Sequence, residues 1–145
     1  MWSGVAECVS KFVHLGSMIN ESCRSIHNLR QRMAITRNAM RELDKKNVWS
    51  TWLLDFNFRL YNACILSIFL YGSETWSLTV TEERKIDALD QWCLRRIYNI
   101  KWNDFVTNEE VSRRTKQLPL TSIVRRRHLG FFGHVVRSDP VGDTR

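Results

Sequence analysis

The sequence predicts a mainly α-helical bundle with a short N-terminal β-hairpin or irregular strand. Three observations favour this class. Apolar residues recur at alternating steps of three and four over long stretches, which is the spacing of one helix face. Two Thr-x-x-Glu patterns have the form of helix capping boxes. Residues 5–19 are β-branched in part and interrupted by Gly16, which predicts a small hairpin or irregular strand.

The first predicted helix runs from about Ser22 to Lys46. Its apolar stripe consists of Ile26, Leu29, Met33, Thr36, Met40 and Leu43. Arg30, Arg37 and Arg41 lie beside or opposite this stripe and form a basic outer face. That face is either a solvated surface or a contact surface for phosphates.

A second helix is predicted from about Leu54 to Tyr71. It is apolar on nearly every side, which predicts a central, buried helix. Gly72 follows directly and is suited to end it.

The third helix begins at the capping box Thr79–Glu82, although Thr81 is an alternative cap. Its inner stripe consists of Ile86, Leu89, Cys93, Ile97 and Ile100. Trp92 and Arg96 are one turn apart on its flank, at the spacing of a cation–π pair.

A second capping box, Thr107–Glu110, opens a short helix that ends near Thr115. Pro119 stands where a first-turn proline precedes the last helix. On that helix Leu120, Val124, Phe131 and Val135, with Ile123 beside them, are predicted to face a core.

Another stripe of the last helix combines Arg126, Gly130, Gly133 and Arg137. Glycine inside a helix lowers helix stability by about 1 kcal/mol relative to alanine, so we expect packing or binding at these positions to benefit from the missing side chains. Either another helix packs closely there, or a phosphate backbone comes within reach of the two arginines.

The charge of the chain is unevenly distributed. Its formal net charge is +7, and residues 111–138 hold seven basic side chains and no acidic one. The rest of the chain carries 15 basic and 15 acidic side chains, so this segment accounts for the whole excess. A field of one sign favours a polyanionic partner, and a solvated surface is the alternative.

Several classes of protein are not indicated. No run of about 18 apolar residues predicts a membrane span. There is no basic segment before an apolar one at the start, so we expect an intracellular protein, nuclear or cytoplasmic. The four cysteines form no CxxC pair, which predicts no metal and fits a reducing compartment. No glycine-rich phosphate loop or nucleophile elbow is present, and Asp87 and Asp90 are predicted to lie on a solvated face and a helix flank.

Four segments occur in an order that indicates a family. They are "FVHLGSMI" (12–19), "LYGSETWSLT" (70–79), "WCLRRIYNIKWNDFVTNEEVSRRT" (92–115) and "IVRRRHLGFFGHVVRSD" (123–139). Together they resemble the C-terminal part of the reverse transcriptase of non-LTR, LINE-type retrotransposons, especially the RTE-like endonuclease-reverse transcriptases. The resemblance extends from Phe12 to Asp139.

The resemblance implies a division into three parts. Residues 1–20 resemble the end of the palm, with Leu15, Gly16 and Ser17 in a primer-grip-like hairpin. Residues 21–80 resemble thumb helices, and residues 81–145 a C-terminal helical extension. The aspartate pair that binds Mg²⁺ in such polymerases precedes these motifs and does not occur here. The resemblance therefore implies a truncated fragment that needs no cofactor itself and is inactive alone as an RNA-directed DNA polymerase.

Some positions match the family pattern and others depart from it. The matching residues are Arg95, Arg96, Trp102, Asp104, Thr107, Asn108, Glu109, Arg126, Arg127, Gly133, His134 and Arg137. Val13 and His14 replace a lysine and a tyrosine, which weakens a primer-grip role. Asn57 replaces a common lysine, Ser73 a cysteine, and His128 and Phe131 an arginine and a tryptophan.

The favoured hypothesis is a thumb-like module that binds RNA, DNA or an RNA–DNA hybrid next to the palm and endonuclease domains that this chain lacks. The residues expected to contact nucleic acid are Arg30, Arg37, Arg95, Arg96, Arg113, Arg114, Lys116, Arg125, Arg126, Arg127 and Arg137. The hypothesis requires these side chains to share a face and not to be paired with acids. The alternatives are a helical protein-interaction module that uses Leu129, Phe132 and Val136, or a relic without function.

Overall fold

The computed structural model describes residues 11–14, 17–20, 26–51 and 53–138. Most of these residues are helical, so the mainly α-helical class is confirmed. Strands β1 (Lys11–His14) and β2 (Ser17–Asn20) pair in antiparallel fashion. The residues between them, which include Leu15 and Gly16 of the primer-grip-like motif, lie outside the described residues. The predicted hairpin therefore stays a prediction.

The first long helix, α1 (Ile26–Lys45), buries the predicted apolar stripe. Leu29, Met33, Thr36 and Met40 are buried, while Ile26 and Leu43 are half-buried. The short helix α2 (Val48–Thr51) follows after a turn at Asn47, whose φ is 51°. The stripe spacing thus predicted correctly which face of α1 packs on the core.

The predicted central helix contains an irregular segment. Helix α3 (Leu54–Leu60) continues through a π-helical segment (Tyr61–Ile65) into α4 (Leu66–Phe69). Gly72 follows with φ of 71°, a left-handed conformation that glycine adopts without strain, and the helix ends there as predicted.

The prediction that this helix is buried on every side is wrong. Tyr61, Ile65, Leu66 and Phe69 are buried, but Phe56 is 45% exposed. The helix packs one face against α1 and α5 and leaves the other in solvent. An apolar run cannot distinguish a surrounded helix from one whose outer face also carries apolar residues.

Helix α5 (Val80–Ile97) begins at a complete capping box. The Thr79 hydroxyl accepts a hydrogen bond from the Glu82 backbone N–H, and the Glu82 carboxylate accepts one from the Thr79 N–H at 2.7 Å. This arrangement satisfies two N–H groups that a helix start leaves unpaired. Thr79, not Thr81, is therefore the cap.

Two helices complete the described chain. Helix α6 (Asn108–Thr115) is capped by the Thr107 hydroxyl, which accepts from the Glu110 N–H at 3.2 Å. Helix α7 (Leu120–Ser138) begins directly after Pro119. The start of α6 is therefore confirmed with Thr107 as its cap, but the reciprocal half of the predicted box is not seen, since the Glu110 carboxylate accepts from Arg113 and Arg114. The start of α7 agrees with the proline that predicts it.

One hydrophobic cluster runs through the described chain from Leu29 of α1 to Val124 of α7. The predicted divisions 21–80 and 81–145 therefore contribute to the same core. Leu120 and Val124 of α7 belong to it, as predicted. The prediction that Phe131 and Val135 also face a core is wrong, because their side chains are 44% and 47% exposed. The reason is geometric: α7 extends beyond the elements on which its first half packs.

Candidate nucleic-acid interface

The first candidate surface is a row of arginines on α1. Arg30, Arg37 and Arg41 are spaced by seven and four residues, so they lie along one flank of α1 beside its buried stripe. All three side chains are exposed, and none forms an ion pair within the part of the chain that the structure describes. We call these three residues the α1 basic flank.

The α1 basic flank lies near α5. The pKa of the Cys93 thiol is raised to about 12, mainly by burial and also by the charge of Asp90, while the positive charge of Arg37 opposes the shift. Helices α1 and α5 pack against each other, so the charge of Arg37 acts across that contact. The same shift keeps the Cys93 thiol protonated, so it does not act as a nucleophile.

The predicted contact residue Arg96 has a structural role. Its guanidinium lies 4.4 Å from the centroid of the Trp92 ring, which confirms the predicted cation–π pair. It also forms an ion pair with Asp44 near the end of α1. Arg96 thus connects α1 to α5, and its charge is compensated within the chain.

The neighbouring Arg95 holds the loop between α5 and α6. Its Nη2 donates to the Val106 carbonyl at 2.6 Å and to Asn108 Oδ1 at 2.9 Å. Nearby, the Tyr98 hydroxyl donates to the Arg114 carbonyl at 3.1 Å. Arg95, Asn108 and Tyr98 therefore hold the segment between α5 and α6 in place.

Arg113 and Arg114 share one acid. The Arg113 Nε donates to Glu110 Oε2 at 2.8 Å, and the Arg114 Nε donates to Glu110 Oε1 at 2.7 Å. These hydrogen bonds lower the pKa of Glu110, Arg114 contributing most. Since Glu110 stands just before the acid-free segment, the sequence count had missed this compensation.

Arg125 and Arg127 attach α7 to earlier elements. Arg125 forms a two-pronged pair with Glu83 of α5 at 3.0 and 2.7 Å. Arg127 Nη1 donates to the Leu70 carbonyl at 3.1 Å and to Glu74 Oε1 at 2.9 Å. His128 Nε2 lies 2.7 Å from the Ser73 carbonyl oxygen. Two of the four family-like segments, 70–79 and 123–139, therefore contact each other.

The predicted set of contact residues is thus divided by the structure. Five of its arginines are paired with acids: Arg96, Arg113, Arg114, Arg125 and Arg127. Arg95 is hydrogen-bonded to uncharged groups within the chain. The expectation that these side chains are unpaired is wrong for the five paired arginines. Glu110 of the same helix pairs with Arg113 and Arg114, and acids from other elements approach the other three arginines on folding. The remaining residues are exposed and form no ion pair within the described residues: Arg30, Arg37, Lys116, Arg126 and Arg137.

The glycine stripe of α7 is uncovered. A Cβ placed on Gly130 meets no atom within 4 Å, and one on Gly133 meets only the Arg137 guanidinium, at 3.7 Å. Of the two explanations for these glycines, close packing of a helix is not observed within the described residues. Arg126 and Arg137 flank an open stretch of backbone.

Sequence reasoning misplaced two polar residues that the structure buries. Asp90 is only 4% exposed and accepts a hydrogen bond of 2.6 Å from the Tyr61 hydroxyl. Asn57, at a position where the family has lysine, is fully buried, and its Nδ2 donates to the Trp49 carbonyl at 2.9 Å. The position of Asp90 four residues after Ile86 and three before Cys93 was a sufficient signal, because that spacing lies on the inner face of α5.

A pocket of about 310 Å³ lies between α5 and α6. Several of the polar side chains that line this pocket form hydrogen bonds within the chain. Gln91 Nε2 donates to the Ser112 hydroxyl at 3.1 Å, and Asp87 accepts from the Thr121 N–H and hydroxyl at 3.1 and 3.0 Å. Asp87 therefore holds the first turn of α7 and is not simply a solvated acid.

Comparison with protein-family models, with curated proteins and with solved structures finds no match to this chain. Among the described residues, no helix is long and apolar enough to cross a membrane. The same residues contain no cluster of three or more histidine, cysteine or acidic side chains positioned to hold a metal ion.

Proposed function

We propose that the chain binds the backbone of a nucleic acid through the α1 basic flank. In this proposal it is a thumb-like fragment of a non-LTR retrotransposon reverse transcriptase, with residues 1–20 as the remnant of a palm-end hairpin. The supporting observation is that Arg30, Arg37 and Arg41 are exposed, aligned and without ion pairs in the described part of the chain.

The dimensions of the flank suit a nucleic acid. Arg30 and Arg41 are eleven residues apart, which corresponds to about 16 Å along a helix axis. A duplex presents one phosphate charge for roughly every 1.7 Å of its axis, so each arginine can meet a different phosphate. Such contacts position a protein on the duplex without reading its sequence. That behaviour is what a thumb requires, since it holds whatever duplex the palm copies.

The proposal is tested by filter binding of an RNA–DNA hybrid over a salt series. Three phosphate contacts give a slope of log affinity against log salt of about −2.7. We expect the triple variant Arg30→Gln, Arg37→Gln, Arg41→Gln to lose most of this slope. The matched control is Arg59→Gln, Arg84→Gln, Lys101→Gln, which removes the same charge from exposed side chains that form no ion pair within the described residues.

The control variant is expected to keep the slope of the unmodified chain. Equal losses in the two variants would mean that binding depends on net charge and not on the α1 basic flank. A flat salt response of the unmodified chain would remove the electrostatic mechanism altogether. Circular dichroism of each variant verifies that its helices are intact.

A further inference from the structure

The second half of α7 exposes large apolar side chains. Leu129, Phe132 and Val136 are 74%, 66% and 73% exposed. Their spacing of three and four residues places them on one stripe, which we call the α7 apolar stripe. Contiguous exposed apolar surface of this kind marks interaction sites, because leaving it in water forgoes the free energy of burial.

The neighbouring backbone is open to close approach. Gly133 lies one turn after Leu129 and therefore borders the stripe, and Gly130 lies about two turns before Arg137. No atom lies within 4 Å of a Cβ built on Gly130, and only the Arg137 guanidinium is near one built on Gly133. A second helix laid on the stripe can therefore come closer to the α7 backbone than side chains ordinarily allow.

Positive charges border the same surface. Arg126 and Arg137 lie beyond the glycines, are exposed and form no ion pair within the described residues. They are eleven residues apart, or about 16 Å along the axis. Residues 111–138 contain no acid, so a second copy of this surface would bring like charges together.

The combination of apolar side chains, glycines and arginines indicates which kind of partner fits this surface. A nucleic acid could contact the arginines and stack one base on Phe132, but Leu129 and Val136, which border Phe132 on the stripe, offer no aromatic face for the neighbouring bases. An amphipathic helix with acidic residues on one flank satisfies every part of the surface. Its apolar residues cover the stripe, its backbone approaches the glycines, and its acids meet Arg126 and Arg137.

We propose that the α7 apolar stripe, with Gly130, Gly133, Arg126 and Arg137, is a docking surface for an acidic amphipathic helix of a partner protein. This surface is independent of the α1 basic flank. The two sites allow the chain to hold a nucleic acid and a protein at once. The acids of the partner are expected about eleven residues apart, matching the separation of the two arginines.

The test is a selection from a displayed library of 20-residue amphipathic helices, with the full 145-residue chain as bait. We expect enriched helices to carry apolar residues at steps of three and four, flanked by acids. Binding of a selected peptide, followed by fluorescence anisotropy, is expected to weaken at least tenfold in Phe132→Ser and in Gly133→Leu. Gly133→Leu fills the open backbone while adding a better helix former, so loss of folding does not explain its effect.

Matched controls separate this surface from the rest of the chain. Leu53→Ser removes an apolar side chain that is 83% exposed elsewhere, and it should leave peptide binding unchanged. The triple variant of the α1 basic flank should also leave it unchanged. Arg126→Gln with Arg137→Gln should weaken it and reduce its dependence on salt.

Several results would overturn the proposal. One is the absence of any enriched helix, or enrichment of basic ones. Another is a loss of hybrid binding, and not of peptide binding, in Phe132→Ser, which would assign the surface to nucleic acid. A third is a dimer in analytical ultracentrifugation that Phe132→Ser dissociates, which would assign the surface to a second copy of this chain.

Discussion

Asp90 shows how burial changes the chemistry of a single residue. Burial raises the pKa of Asp90 to about 6, because the ionised carboxylate is poorly solvated in the core. The hydrogen bond from Tyr61 opposes this shift, and the nearby charge of Asp87 reinforces it. The pKa of Tyr61 is raised well above its usual value for the same main reason, so the phenol stays protonated as the donor.

The raised pKa predicts a specific dependence of stability on pH. The folded chain retains a proton on Asp90 that the unfolded chain releases from about pH 4 upward. The contribution of Asp90 to the free energy of unfolding is therefore fully present below about pH 4, and it is lost as the pH rises through about 6. The free energy of unfolding lost in this way is roughly 3 kcal/mol, which corresponds to the difference between the ordinary pKa of an aspartate and a pKa of about 6.

Asp90→Asn isolates this effect, because its amide oxygen still accepts from Tyr61 while no charge is buried. In urea unfolding at a series of pH values, the variant should match the unmodified chain near pH 4 and exceed it in free energy of unfolding near pH 7. A difference that is constant across this range would show that Asp90 does not titrate as described. The comparison between the two chains cancels the contributions of all other groups.

At the scale of elements, α7 is fastened to the rest of the chain by side chains of its first half. Arg127 donates to the Leu70 carbonyl, at the end of α4, and to Glu74, which follows Gly72, and Arg125 pairs with Glu83 of α5. The adjacent Arg126 points away and forms no ion pair within the described chain. Three consecutive arginines thus have different environments because a helix rotates successive side chains by about 100°.

This arrangement predicts unequal effects of two neighbouring substitutions. Arg127→Ala should lower the free energy of unfolding by about 1–2 kcal/mol, because the Leu70 carbonyl loses a charged donor. The ion pair with Glu74 adds little, since both side chains are partly exposed. Arg126→Ala should change it by less than about 0.5 kcal/mol, as expected of an exposed surface position. Urea unfolding at neutral pH measures both; equal effects would contradict the role of Arg127 as an attachment.

At the scale of the whole molecule, one core joins residues that the resemblance assigns to different parts. Leu29 is 1% exposed in α1, and Val124 is fully buried in α7. Both belong to the same hydrophobic cluster, so neither part has a core of its own in the described chain. A single packed interior favours cooperative unfolding.

We therefore predict one unfolding transition for the described chain. Leu29→Ala should destabilise it by about 2–5 kcal/mol, and Val124→Ala by a smaller amount because fewer methyl groups are removed. Each substitution should shift the whole transition, measured in urea both by circular dichroism and by tryptophan fluorescence. If Leu29→Ala unfolded one part while the helices of the other persisted, the two probes would separate and the single core would be refuted.

The positive charge that is exposed without an ion pair in the folded molecule is distributed differently from the positive charge counted along the sequence. Residues 111–138 hold the whole excess charge of the chain, yet Glu74, Glu83 and Glu110 pair with four of their arginines. The strongest uncompensated row of cations is the α1 basic flank. Local charge in the sequence therefore does not show which arginines remain without an ion pair in the folded chain.

The sequence by itself determined the helical class, the starts of α5, α6 and α7, and the buried faces of α1 and α5. These features depend on residues within a few positions of one another: capping hydroxyls, a proline, and apolar spacing. It also predicted the pair between Trp92 and Arg96, since both lie on one helix one turn apart.

Only the tertiary structure decided which arginines are compensated, that Asp90 and Asn57 are buried, and that Phe131 and Val135 are not. Most of these depend on contacts between residues distant in the sequence, such as Arg125 with Glu83 and Tyr61 with Asp90, whereas the pairs of Arg113 and Arg114 with Glu110 are local to one helix. A side chain's local pattern gives the direction in which it points from its helix. What lies in that direction is set by how the helices pack, and packing is a property of the whole chain.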